Sequence, residues 1–206
     1  MGADKSLMVV DGQALARTVA DVLGRAGAHR VQAQGGDATA LASLGLSCAA
    51  DRWPGRGPAV AVADVLMRAG SGSDDESDIV VVAACDHPEL DVATVHALVA
   101  ALGSGEPGTG PGNDDGLSWP AAAVAVAAQR RHPTLCAWRR SLCAPIAGQW
   151  MEDGRASLTS LLEAVSNRHD VVEVAVDVSA VRDLDSPGDV SRYDRGVPHH
   201  EVDRQP

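Results

Sequence analysis

The sequence predicts a layered α/β fold built around a parallel sheet, and three observations carry that expectation. Short, continuous apolar runs recur along the chain, longer segments with helical periodicity separate them, and glycines stand just past several of the helical segments. Strand alternating with helix is the pattern of a parallel sheet covered on both faces.

In chain order, "ALARTVADVLGRAG" (14–27) is the first helical pattern and closes on Gly27. Two weaker strands fall near 30–34 and 46–50. "AVAVADVLMRAG" (59–70) repeats the helical period and closes on Gly70. "IVVVAAC" (79–85) is the most hydrophobic strand, and "VATVHALVAAL" (92–102) is the helix after it, with Gly103 behind. "AAAVAVAA" (121–128), "LCAW" (135–138) and "VVEVAV" (171–176) complete the strands, most of them expected to be buried on both faces. "SLTSLLEAV" (157–165) is the last helix.

A chain of 206 residues with 45% hydrophobic content can bury one sizeable core, so one domain is expected, spanning 1–193. Two segments fall outside the alternation. "GSGEPGTGPGNDDGLS" (103–118) is Gly, Pro and acid with nothing to pack, and reads as a mobile surface loop. Residues 194–206 read as a disordered tail in which His199 and His200 are solvated side chains. Phe is absent, Tyr occurs once, and Ala, Val, Gly, Arg and Asp are used heavily, a coding bias that leaves the core to Val, Leu and Ala.

A formal net charge of -11 argues against a nucleic-acid partner, which calls for a basic face. A phosphate-bearing ligand would need a local cation or a metal. Cys48, Cys85, Cys136 and Cys143 show neither Cys-x-x-Cys nor zinc-like spacing and read as small buried residues of a reduced, cytoplasmic protein. No apolar run approaches the roughly 20 residues that span a membrane, and no leader precedes the first helix pattern.

Ligands of an open parallel sheet collect outside the carboxyl ends of its strands. Asp86, in "CDHPEL", follows the most hydrophobic strand and is placed either to hold Mg²⁺ or to cap the turn. "RDLDSPGDV" (182–190) has the same grammar. Asp183 or Asp185 completes a metal site if the fold joins the two turns, and Asp185 is otherwise a helix cap. "DRWPGRGP", from Asp51 through Gly57, is either an anion-binding turn, with Asp51 accepting from a base or ribose, or a plain strand-to-helix turn. "RRHPTLCAWRR" (130–140) offers His132 and four arginines, Arg139 among them. It can receive an anionic substrate or be a hairpin with solvated arginines. At the other end of the chain, "MGADKSL" contains Lys5, the sole lysine.

In order, "MGADKSL", "DRWPGRGP", "VVVAACDHPEL", "RHPTLCAWRR", "LTSLLEAV" and "DLDSPGDV" resemble the molybdenum cofactor guanylyltransferases, the MobA-like nucleotidyltransferases, over residues 1 to 191. The resemblance implies a Rossmann-like three-layer nucleotidyltransferase fold of GT-A type, with a mostly parallel sheet. "MGADK" looks like the back half of the family's phosphate loop. Its first strand and L-A-G-G turn have no counterpart here, so a start further upstream is expected.

By the same resemblance, Lys5 pairs with nucleotide phosphates, and Asp86 is both catalytic and a Mg²⁺ ligand. Asp51 and Gly57 bind the nucleotide, and Asp183 or Asp185 takes the second metal-side position. Many members carry asparagine at those last two positions. His132, Arg139 and Arg140 fall on the pterin side. The implied reaction transfers GMP from GTP to molybdopterin, with no nucleic acid or membrane involved and with contacts to other cofactor-assembly proteins. Two alternatives differ from it: a transferase using CTP or another phosphorylated acceptor, and a non-catalytic binding protein of cofactor assembly.

Overall fold

The computed structural model describes residues 5–68, 78–103, 119–154 and 157–184. Asp185, Gly70, most of the 103–118 loop and the 194–206 tail lie outside them. A 3-10 turn, Lys5–Leu7, leads into a small hairpin of β1 (Val9–Val10) and β2 (Gln13–Ala14), then α1 (Leu15–Arg25). A parallel pair follows, β3 (Gln32–Gln34) and β4 (Ser47–Ala49), with α2 (Ala38–Ser43) between its strands and α3 (Pro58–Met67) after them. The rest of the chain runs β5 (Ile79–Ala83), α4 (Val92–Ala101), β6 (Ala122–Ala127), β7 (Arg130–Arg139), α5 (Arg140–Glu152), α6 (Leu158–Ser166) and β8 (Val171–Ala175). A 3-10 turn, Ser179–Val181, ends it.

The main sheet has the order β5-β7-β6-β8. Strand β6 is parallel to β8, and β7 is antiparallel to both β5 and β6. Three of the four strands therefore run the same way, and β7 is the reversed one. It returns directly from β6 through Ala128 and Gln129, both at positive φ (46 and 61), a twist that matches a tight hairpin.

Strand alternation sorts the side chains into three layers. Ala122, Val124, Cys136 and Trp138 face α3, α5 and α6, with Trp150 and Leu161 in the same core. Ala123, Ala125, Leu135 and Ala137 face α1 and α4, packing on Val22 and Leu98. Asp91 starts α4 by accepting from the Thr94 amide at 2.7 Å, and Ser157 starts α6 by accepting from Ser160 at 3.1 Å.

The expectation that the strands are buried on both faces holds best for β6. All five residues of β5 are only partly buried, although this is the most hydrophobic run in the chain. The cause is position: β5 is an edge of the main sheet. Strands β3 and β5 belong to separate ladders.

Candidate active site

Three segments meet at the carboxyl end of β5. The first is the turn from β5 into α4, closed by the Leu90 amide donating to the His87 carbonyl at 3.2 Å. It places Asp86 and His87 just beyond the strand. The second is the start of β7. The register passes from Val124↔Cys136 to Ala125↔His132, so Pro133, Thr134 and Leu135 bulge out of the β6 ladder. The Thr134 carbonyl still accepts from the Ala84 amide at 2.9 Å, which ties the bulge to the end of β5.

The third segment follows the last 3-10 turn. The Leu184 amide donates to the Asp86 carbonyl at 3.1 Å. The Leu184 side chain is fully buried with Val10 and Leu15, and Arg182 pairs with Glu89 at 2.7 Å. Asp183, between these two anchors, is thereby fixed beside the Asp86 turn. The fold does join the two aspartate turns, through Asp183.

Lys5 Nζ lies 3.6 Å from Asp86 Oδ2. His87 is 1% exposed. Its Nε2 is 3.3 Å from Thr134 Oγ1, while its Nδ1 lies 3.1 Å from Asp183 Oδ1. That last approach is off the hydrogen-bonding direction, so Nδ1 makes no hydrogen bond. One donor atom each from Asp86, His87 and Asp183 falls within 4.8 Å of the others. Two carboxylates and a buried imidazole nitrogen without a proton partner form a donor set that fits a divalent cation. His132 stands near both Asp183 and His87. Desolvation lowers its pKa, and the Asp183 charge works in the opposite direction.

Asp51 accepts from the Trp53 amide at 2.9 Å and so shapes the turn that leaves β4. Gly57 caps α3 at φ 85, ψ 172, a conformation that essentially only glycine adopts, with Pro58 as the first helical residue. The turn is braced by Asp64, a fully buried carboxylate of α3 that pairs with Arg68 and lies 3.6 Å from Arg52. Arg68 also donates to the Ala50 carbonyl at 3.0 Å.

Arg139 is not brought to the site. The register Ile79↔Arg139 puts it at the opposite end of β5 from Asp86, and the five residues of β5 span roughly 16 Å. It is 1% exposed. It donates to the Leu102 carbonyl at 2.8 Å, pairs with Asp78 at 3.4 Å and stacks 5.6 Å from the Trp119 ring centroid. The guanidinium satisfies the carbonyl end of α4 from inside the fold, a structural role. Of the arginines in that segment, Arg130 and Arg131 are the ones at the site's end of β7, and Arg131 pairs with Glu173 at 2.6 Å.

His87 is not among the residues expected at the site, whereas Thr134 belongs to the "HPT" segment (132–134) that the resemblance puts on the pterin side. Adjacent residues leaving a strand ordinarily point to opposite sides, so Asp86 drew attention away from its neighbour. The signal available was a histidine wedged between that aspartate and a proline.

The sheet lies between two layers of helices, has one reversed strand and gathers acidic residues beyond the carboxyl ends of its strands, an α/β architecture that binds ligands at that edge. The family model described as the MobA-like NTP transferase domain matches residues 1–177, and the chain belongs to that family. Its members are nucleotidyltransferases acting on nucleoside triphosphates. Among solved structures, the chain is similar to molybdopterin-guanine dinucleotide biosynthesis protein A from Archaeoglobus fulgidus. They share 18% identity over 94% of this chain and 90% of that one, with a TM-score of 0.63. It is also similar to 2-C-methyl-D-erythritol 4-phosphate cytidylyltransferase from Thermus thermophilus, at 16% identity, 93% and 92% coverage and a TM-score of 0.63. A Mycobacterium tuberculosis protein in complex with manganese aligns at 22% identity, 94% and 93% coverage and a TM-score of 0.62. No curated protein matches the chain. Among the described residues, no helix is long and apolar enough to cross a membrane.

Proposed function

We propose that the chain is a molybdenum cofactor guanylyltransferase, moving GMP from GTP to the terminal phosphate of molybdopterin and releasing pyrophosphate. The observation that carries this reading is the convergence of Lys5, Asp86 and Asp183 at the carboxyl end of β5, in a chain of the MobA-like family. The six motifs in family order favour the molybdopterin acceptor within that family.

The reaction needs in-line positioning and charge neutralisation more than a strong base. Asp86 and Asp183 would hold the divalent cation, which supplies charge neutralisation at the triphosphate. On the carboxylates alone that cation is Mg²⁺. Lys5 supplies a point charge to the phosphates. Asp51 and the Gly57 turn, at the end of β4, are assigned to the nucleoside and its phosphates, and His132 to the acceptor side. The four free cysteines suit a reducing cytoplasm.

The likeness to a cytidylyltransferase gives one competing reading, CTP as donor. Pyrophosphate release measured side by side with GTP and CTP, each with molybdopterin and a divalent cation, tests both. Faster turnover of GTP is expected. Preference for CTP would replace the guanylyl assignment, and no release from either would overturn the reading.

A further inference from the structure

The geometry points to His87 as a third, nitrogen ligand of the cation site, which makes the site one for a first-row divalent transition metal rather than for Mg²⁺. This inference deepens the proposed function and rests on the assignment of this cluster as the transfer centre. The imidazole is 1% exposed and makes no hydrogen bond through Nδ1. A buried ring nitrogen left without a partner costs stability unless something meets it. With the ring proton on Nε2 and donated to Thr134 Oγ1 at 3.3 Å, Nδ1 carries a free lone pair beside Asp183, whose Oδ1 lies 3.1 Å away and off its axis, as a neighbouring ligand of one ion would. Fixing the outer nitrogen in this way is how proteins orient a metal-binding histidine.

The distances agree. Two ligands each about 2.1 to 2.2 Å from one ion and at right angles lie about 3.0 to 3.1 Å apart. Nδ1 and Asp183 Oδ1 are 3.1 Å apart without forming a hydrogen bond. Ligands on opposite sides of such an ion lie about 4.2 to 4.4 Å apart, inside the 4.8 Å that contains all three donor atoms. The anchors are independent of the ion. The Thr134 bulge is tied to β5, and Leu184 is buried beside the hairpin and bonded to the Asp86 carbonyl. Mg²⁺ takes oxygen ligands and keeps its waters, whereas imidazole favours the transition metals.

Mn²⁺ serves as the probe because its spin reports directly bonded nitrogen. Electron spin echo modulation of the Mn²⁺-loaded full chain, without nucleotide, should show coupling to one imidazole nitrogen. Titration followed by the free-ion signal should show Mn²⁺ bound at least about tenfold more tightly than competing Mg²⁺. His87→Gln should abolish the nitrogen coupling and weaken Mn²⁺ by about tenfold or more, with Mg²⁺ affinity unchanged. Absence of nitrogen coupling in the wild-type chain overturns the inference, and needs no variant to fold. Equal Mn²⁺ affinity in a folded His87→Gln also overturns it. Pyrophosphate release measured on the same protein separates the two claims: turnover without nitrogen coupling removes this ligand and leaves the proposed function, and coupling without turnover does the reverse.

Discussion

Replacing Asp86 by Asn should separate activity from stability. The side chain's partner is Lys5 at 3.6 Å, with the lysine side chain 40% exposed and the aspartate side chain 19%. An ion pair that open to solvent contributes about 0.2 to 1 kcal/mol. The bond that holds the Asp183 segment in place uses the Asp86 backbone carbonyl, which the substitution leaves intact. Asn also keeps the volume of the turn. The loss of folding free energy should therefore stay below about 1 kcal/mol, a fall in Tm of no more than about 4 °C for a chain of this size. The loss in catalysis is larger, because a misplaced cation forfeits several kcal/mol of charge stabilisation. At about 4 kcal/mol the rate falls roughly 10³-fold. Thermal denaturation and metal-dependent pyrophosphate release on the same preparation give both numbers. A variant that keeps near-full metal-dependent turnover would refute the assignment of Asp86. One that unfolds would refute the claim that the side chain is functional rather than structural.

Arg139→Ala should behave in the opposite way. It strands the carbonyls at the end of α4 and leaves Asp78 short of a partner, costing about 3 kcal/mol in chemical denaturation, while metal binding by the remaining folded protein is unchanged. Gly57→Ala should cost about 1 to 3 kcal/mol, because φ 85 with ψ 172 is strained for any side chain; denaturant midpoints that coincide with wild type would show that the turn relaxes freely. Burial pushes the Cys143 thiol up to about 12 and raises Cys136 well above its ordinary value. A thiol reagent at pH 8 should therefore reach these two only in denaturant and label Cys48 and Cys85 in the folded chain, and fast labelling of all four would contradict the core packing.

The main elements were legible because apolar runs and helical periods mark them directly. "IVVVAAC", "AAAVAVAA" and "VVEVAV" became β5, β6 and β8 with small changes at their ends. Helix α5 was not legible, since Pro145 sits inside it and reads as a break. The full ten residues of β7 were hidden for a related reason, because Arg130 to Pro133 look like loop chemistry. Asp86 and Lys5 could be found from position and rarity. Arg139 could not be placed, because its partners, Asp78, Leu102 and Trp119, come from distant segments and only the register of β5 against β7 brings them together. Placing Asp183 beside Asp86 needed the burial of Leu184, a tertiary fact, and Asp185 lies outside the described residues.

Transfer of a labelled α-phosphate tests the central claim most directly. The full chain, loaded with Mn²⁺ or Mg²⁺, is incubated with molybdopterin and GTP carrying the label on its α-phosphate, and the products are separated. The account predicts that label moves into a molybdopterin dinucleotide with one pyrophosphate released per transfer, and that Asp86→Asn suppresses both together. Label that stays in GTP, with the protein folded and the metal bound, would contradict it.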